Sequence, residues 1–185
     1  MNRYRQINTV LSIERPKSIL EVGTWNGYRA IEMMTAAKAE AYYGFDLFET
    51  GTRELDKIEF NAKPRRPLSA VANLLQGRFF FALFPGNSKE TLPEFLKDYG
   101  ENSVDFAYID GGHSVETIES DWQNVSRIVK PNGLILFDDY YTDGPDVEKV
   151  GCNKTVEHLI HEIFPVTDPV VGGGKVQLVS VRNIK

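Results

Sequence analysis

"ILEVGTWNGYRA", residues Ile19 to Ala30, runs from an apolar stretch through an acid into a loop with two glycines, and then turns helical. A strand that ends in Glu-x-Gly and feeds a helix is a turn built to hold a ligand. A dinucleotide would need G-x-G-x-x-G here, with the middle glycine letting the backbone approach the pyrophosphate. In this chain Trp25 stands in the place of that glycine. An indole there obstructs a pyrophosphate, which disfavours NAD and FAD.

Outward from this turn, short apolar runs alternate with helical patterns. That alternation predicts an α/β fold, a mostly parallel sheet with helices on both faces. Strands are expected at 18–23, 41–48, 79–86, 104–111 and 134–140. Helices are expected from about Tyr28 to Lys38, Val115 to Val129 and Asn153 to Ile163. "KPNG", 130–133, reads as the turn that stops the second of these. "VTDPVV" and "KVQLVSV" flank the glycines 172–174 and read as an antiparallel hairpin. The stretch 49–78 is polar, carries "KPRRP" at 63–67, and shows a helical pattern at 68–75. It reads either as solvated surface or as a lid, since it leaves the carboxyl end of the second strand.

The bulk properties set bounds. At 185 residues, with 42% hydrophobic and 25% charged residues, the chain suits one domain spanning 1–185. Its net charge of −5 argues against general nucleic-acid or membrane-surface partners, which call for a basic excess. Cys152 is alone, so no internal disulfide forms, as in a reducing compartment. No apolar run is long enough for a membrane span. The first residues lack the apolar stretch of a signal peptide. The expectation is a cytoplasmic protein.

Two constellations carry chemistry. S-adenosylmethionine, which has no phosphate, needs a carboxylate near its amino group, close backbone approach, and an acid for its ribose diol. Glu21, Gly23 and Gly27 meet the first two needs. Asp46, ending the next strand, meets the third, because a carboxylate accepts two hydrogen bonds in bidentate fashion. Both acids also read as caps of helices or loops. The second constellation is Asp110, His113, Asp138 and Asp139, at the ends of two neighbouring strands. Carboxylates converging there repel unless a cation or protons intervene. Oxygen donors of this kind suit Mg²⁺. Adjacent strand residues point to opposite faces, so Asp138 and Asp139 share a metal only where the strand has broken into loop. Otherwise one of them caps a turn or meets a backbone amine. His113 reads as a general base or as a helix-start histidine bonded to backbone. His158 and His161 read as surface residues of a helix.

"EVGTWNGYRA" resembles motif I of class I S-adenosylmethionine-dependent methyltransferases, above all the catechol-type and macrocin-type O-methyltransferases. The resemblance continues in order through "GFDLFE", "FPGNSKETLPEF", "VDFAYIDGGHSVETIESDW", "VKPNGLILFDDYY" and the closing hairpin, about 18–182. It implies a Rossmann-like, doubly wound, seven-stranded sheet with a C-terminal antiparallel hairpin. It also implies that Glu21, Gly23, Thr24 and Gly27 line the methionine moiety. Asp46 would bind the ribose, Leu47 would pack near the adenine, and Asn87 and Ser88 would touch the adenine edge. Asp110 would lie below the reacting methyl and, with Asp138 and Asp139, hold Mg²⁺ as in the macrocin-type enzymes. Several of those sequences read Asp-Gly-Asp where this one reads Asp110-Gly111-Gly112, which leaves His113 as the nearest base. The resemblance therefore implies metal-assisted methyl transfer to a hydroxyl of a small-molecule acceptor. Competing readings are a non-catalytic cofactor-binding or assembly protein and a metal-independent N-methyltransferase. With few residues before the first strand, the roof over the acceptor comes from 49–78, from 140–152, or from another copy in a homo-oligomer.

Overall fold

Every central strand carries apolar side chains on both of its faces, as a parallel sheet enclosed between two helix layers requires. The computed structural model describes residues 3–61, 63–164 and 175–184. Helices α1 (Arg3–Glu14), α2 (Tyr28–Ala37), α3 (Arg53–Ile58), α4 (Leu68–Leu75), α5 (Ser88–Tyr99), α6 (Val115–Ile128) and α7 (Asn153–Val156) are joined with seven strands. These are β1 (Ser18–Val22), β2 (Ala41–Asp46), β3 (Phe80–Pro85), β4 (Val104–Ile109), β5 (Val129–Asp143), β6 (His161–Phe164) and β7 (Lys175–Arg182). They form one sheet in the order β3-β2-β1-β4-β5-β7-β6. The strands β1 to β5 pair in parallel, and β7 lies antiparallel between β5 and β6. The expected doubly wound sheet with an antiparallel close is present.

The order reverses between β1 and β4, which opens a crevice beyond their carboxyl ends. Alternation along the strands divides the core in two. Leu20, Val22, Ala107, Ile109, Ile135 and Phe137 pack toward α5, α6 and α7. Ile19, Phe106, Tyr108, Leu134 and Leu136 pack toward α1, α2 and α4.

The structure departs from the expected boundaries at the C-terminal side. The helix expected from Asn153 to Ile163 ends at Val156, and His161–Phe164 is a strand. Ile163 there lies opposite Val179 of β7, and pairing with the sheet edge overrides local helical preference. The expected strand at 166–171 and the glycines 172–174 lie outside the described residues. The expected turn at 130–133 is absorbed into a longer β5, whose register shifts between Val104 and Phe106 of β4. Helix α6 still stops at Ile128, just before it. Helix α1 has no counterpart in the expectations, although Tyr4, Ile7 and Leu11 recur at helical spacing.

Phe137 is fully buried in the central strand β5 and tilts against Trp122 of α6 at 5.8 Å between ring centroids. Phe137→Ala is expected to lower unfolding stability by about 3–5 kcal/mol. Denaturant titration measures this; a loss within experimental scatter would show the layer to be loosely packed.

Candidate functional site

The turn after β1 closes onto the turn after β4. Gly23 has φ of 97°, and a Cβ placed on it would lie 1.9 Å from the Asp110 carbonyl oxygen. Only glycine fits, both for its conformation and for the contact. Asp110 N in turn donates to the Val22 carbonyl at 2.8 Å, and Gly23 N to that of Phe45 at 2.8 Å. The ends of β1, β2 and β4 are thereby fixed side by side.

Asp46 ends β2 and organises this turn. Its Oδ2 accepts from the Trp25 backbone N–H at 2.7 Å, and its Oδ1 from that of Phe48 at 2.8 Å. The loop-capping reading of Asp46 is therefore present, and each oxygen keeps a further lone pair for a ligand. Glu21 shares the strand face of Ile19 and points behind the turn. It is buried and accepts from the Tyr42 hydroxyl, which also lies 3.0 Å from Thr24 Oγ1. Its other oxygen, Oε1, has no hydrogen-bond partner. Burial pushes the Glu21 carboxyl up to about 7.

Strand alternation separates the two acids at the end of β5. Asp138 follows Leu134 and Leu136 onto the α1 face. There Arg3 Nη1 donates to its Oδ1 at 2.8 Å and the Tyr108 hydroxyl to its Oδ2 at 2.9 Å. Asp139 falls on the other face, where β5 breaks its register and the residue takes φ of 60°. Its Oδ1 accepts from the Tyr141 hydroxyl at 3.1 Å, and its Oδ2 lies 3.3 Å from His113 Nε2. Asp110, His113 and Asp139 offer ligand atoms within 4.8 Å of one another. Of the expected trio Asp110, Asp138 and Asp139, two come together; His113 joins them and Asp138 turns to Arg3. Burial, reinforced by Asp138, holds the carboxyls of Asp110 and Asp139 above the usual carboxylate range.

A cavity of about 840 Å³, counted to its open mouth, fills the crevice. Gly23, Asp46, Leu47, Asn87, Ser88, Asp110 and His113 all line it, whereas Glu21, Thr24, Gly27, Asp138 and Asp139 do not. Part of the stretch 49–78 covers one side of this cavity. Leu55, Asp56, Glu59, Asn61, Lys63 and Arg65 form one wall of the cavity. Trp25 Nε1 donates to the Pro64 carbonyl at 2.9 Å, and Lys63 Nζ stands 5.4 Å over the Trp25 ring. The Asp110 carboxylate raises the ammonium pKa of Lys63. Arg3, Lys63 and Glu59 are site residues that strand-end reasoning does not reach. His158 pairs with Glu157 at the surface, and His161 sits on β6 rather than on a helix.

Residues 20–140 match the family model of a methyltransferase domain. An uncharacterized protein of Acanthamoeba polyphaga mimivirus, R132, is 28% identical over 142 residues, 76% of this chain and 59% of that protein. The chain thus spans well under two thirds of that relative's length. An O-methyltransferase from Bacillus cereus, solved with S-adenosylhomocysteine, has a TM-score of 0.67 at 12% identity, over 97% of this chain and 80% of that one. The 1,6-didemethyltoxoflavin-N1-methyltransferase of Burkholderia thailandensis has a TM-score of 0.64 at 15% identity, over 99% and 79%. At these identities the two structures establish a shared fold.

Two outcomes test this geometry. Arg3→Ala leaves Asp138 buried without its cation and is expected to cost on the order of 3 kcal/mol in denaturant titration; an unchanged midpoint would dismiss the ion pair. The unfolded chain ionises Glu21 near pH 4.3, whereas the fold holds its proton to about 7. The neutral form favours the fold, so this stability is full at low pH and is lost as pH rises through that window. Glu21→Gln should therefore gain on the wild type between pH 5 and pH 8. A stability difference that stays constant with pH would refute the buried proton.

Proposed function

The chain belongs to the methyltransferase domain family, and from that premise we propose that it moves a methyl group from S-adenosylmethionine to a hydroxyl oxygen of a small molecule. The observation that carries this reading is the juxtaposition of the crevice at the strand ends with the cluster of Asp110, His113 and Asp139. Three features fit the donor. Gly23 leaves no side chain between the crevice and the backbone of Asp110. Asp46 keeps lone pairs at the edge of the cavity, as a ribose diol requires. Trp25 lines the cavity where a pyrophosphate loop would need glycine, which suits a donor that has no phosphate. Leu47, Asn87 and Ser88 would bound the adenine end, and Asp110 the methyl end.

S-adenosylmethionine supplies a methyl that is already electrophilic, so the residues need only align the acceptor and remove one proton. His113 takes that proton in this reading, with Asp139 Oδ2 at 3.3 Å from its Nε2 holding the ring. Asp110 and Asp139 have the oxygen donors that a hard divalent cation such as Mg²⁺ prefers, with His113 beside them. A cation held there would make the acceptor hydroxyl more acidic. In this reading the covering segment, which lines the cavity from Leu55 to Arg65, supplies the roof.

Metal-independent transfer to nitrogen is the second reading. Lys63 and Arg3 favour it, because their charges already offset part of the acidic cluster. A binding protein without catalysis is a poorer fit, since three ionisable groups converge beside the cavity.

Titration calorimetry with S-adenosylhomocysteine should give micromolar binding with Mg²⁺ and with EDTA alike. Failure to bind in both would remove the donor from this reading. With hydroxylated small molecules as acceptors, Asp110→Asn and His113→Ala should each lower turnover by about 10² or more. EDTA should abolish turnover on hydroxyls, and chelator-resistant methylation of amines would favour the second reading.

A further inference from the structure

One acid in the wall of the cavity has no part in the proposed chemistry. Glu59 follows α3 and is only 8% exposed. The Thr117 hydroxyl donates to its Oε1 at 2.6 Å, and the Ser114 backbone N–H to its Oε2 at 3.1 Å. Both donors belong to the start of α6, where the positive end of the helix also favours a carboxylate. Three charge-assisted advantages thus converge on a residue 55 positions away from its first partner.

The room for this carboxylate depends on Gly112. A Cβ there would lie 2.5 Å from Glu59 Oε2 and 2.7 Å from Thr117 Cγ2. The backbone of Gly112 is not in the left-handed region, so conformation alone does not call for glycine. What calls for it is space. Gly112 also adjoins His113, and both line the cavity beside Glu59.

We propose that Glu59 is a positioning residue, a carboxylate seated in the socket left by Gly112, which ties the covering segment to the Asp110–His113 loop. With Trp25 holding Pro64 on the opposite side, Glu59 fixes the wall of the cavity against two separate loops. The inference deepens the reading above, resting on it only in taking S-adenosylmethionine as the occupant of the cavity.

Limited trypsin digestion of the intact protein without ligand tests the tie directly, since Lys57 and Arg65 lie in the covering segment and neither precedes a proline. Glu59→Ala should speed cleavage there roughly tenfold, as expected for losing two hydrogen bonds to a charged group. Glu59→Gln keeps the shape and one acceptor for Ser114 N–H, and should restore most of the protection. Cleavage of Glu59→Ala at the wild-type rate overturns the proposal. Affinity for S-adenosylhomocysteine supplies the second measurement. Glu59→Ala and Gly112→Ala should each weaken it, and the double variant should lose less than the sum of the two. Additive losses would also overturn the proposal. Absence of binding in the wild type counts against the donor instead, and the digestion still decides the tie.

Discussion

The site depends on a parity constraint. Asp138 and Asp139 are neighbours on β5, and a strand must send neighbours to opposite faces. Were β5 to continue regularly, one acid would lie in each hydrophobic layer. The structure resolves this by giving the two acids separate tasks. Asp138 stays in register with Leu136, meets Tyr108 from β4, and holds Arg3 of α1 against the sheet. Asp138 Oδ1 also accepts from Asp139 N at 2.9 Å, which supports the break in the strand at the next residue. With φ of 60°, Asp139 then leaves the ladder and faces His113.

That division has an electrostatic consequence. Burial raises the proton affinity of Asp110 and Asp139, and the nearby Asp138 adds to the effect. The chain answers with Arg3 from one end and Lys63 from the cover. Neither cation is adjacent in sequence to the acids it offsets. A divalent cation and the sulfonium of the donor would act in the same sense as Lys63, lowering the cost of ionising Asp110. The cover therefore contributes charge as well as shape.

How much of this is legible in the sequence follows from the range of the interactions. The order of elements, the switch between β1 and β4, and the strand-end positions of Gly23, Asp46, Asn87 and Asp110 all follow from local patterns. So does helix α4 at Leu68–Leu75 inside an otherwise unclear stretch. Parity states the choice facing Asp138 and Asp139 without saying which residue takes which face. The break after Phe137 decides it, and nothing in "FDDYY" marks that break. Strand β6 escapes because "VEHLIHEIF" satisfies a helical period until Ile163 finds Val179. Arg3 and Glu59 escape because their partners lie 135 and 55 residues away.

Two glycines near Asp110 illustrate why a glycine in a sequence has no single meaning. Gly23 answers to a positive φ and to a carbonyl at 1.9 Å from its absent Cβ, both set by the crossing of β1 and β4. Its role is inherent in the fold and can be anticipated from the strand-turn-helix pattern. Gly112 answers mainly to a side chain from a segment more than fifty residues earlier, with the Thr117 methyl adding a second contact. A methyl at 112 would meet the Glu59 carboxylate at 2.5 Å and the Thr117 methyl at 2.7 Å, and removing Glu59 relieves the nearer of the two. The loop and the cover are thus coupled through an empty volume, which makes the two positions interdependent despite their separation along the chain.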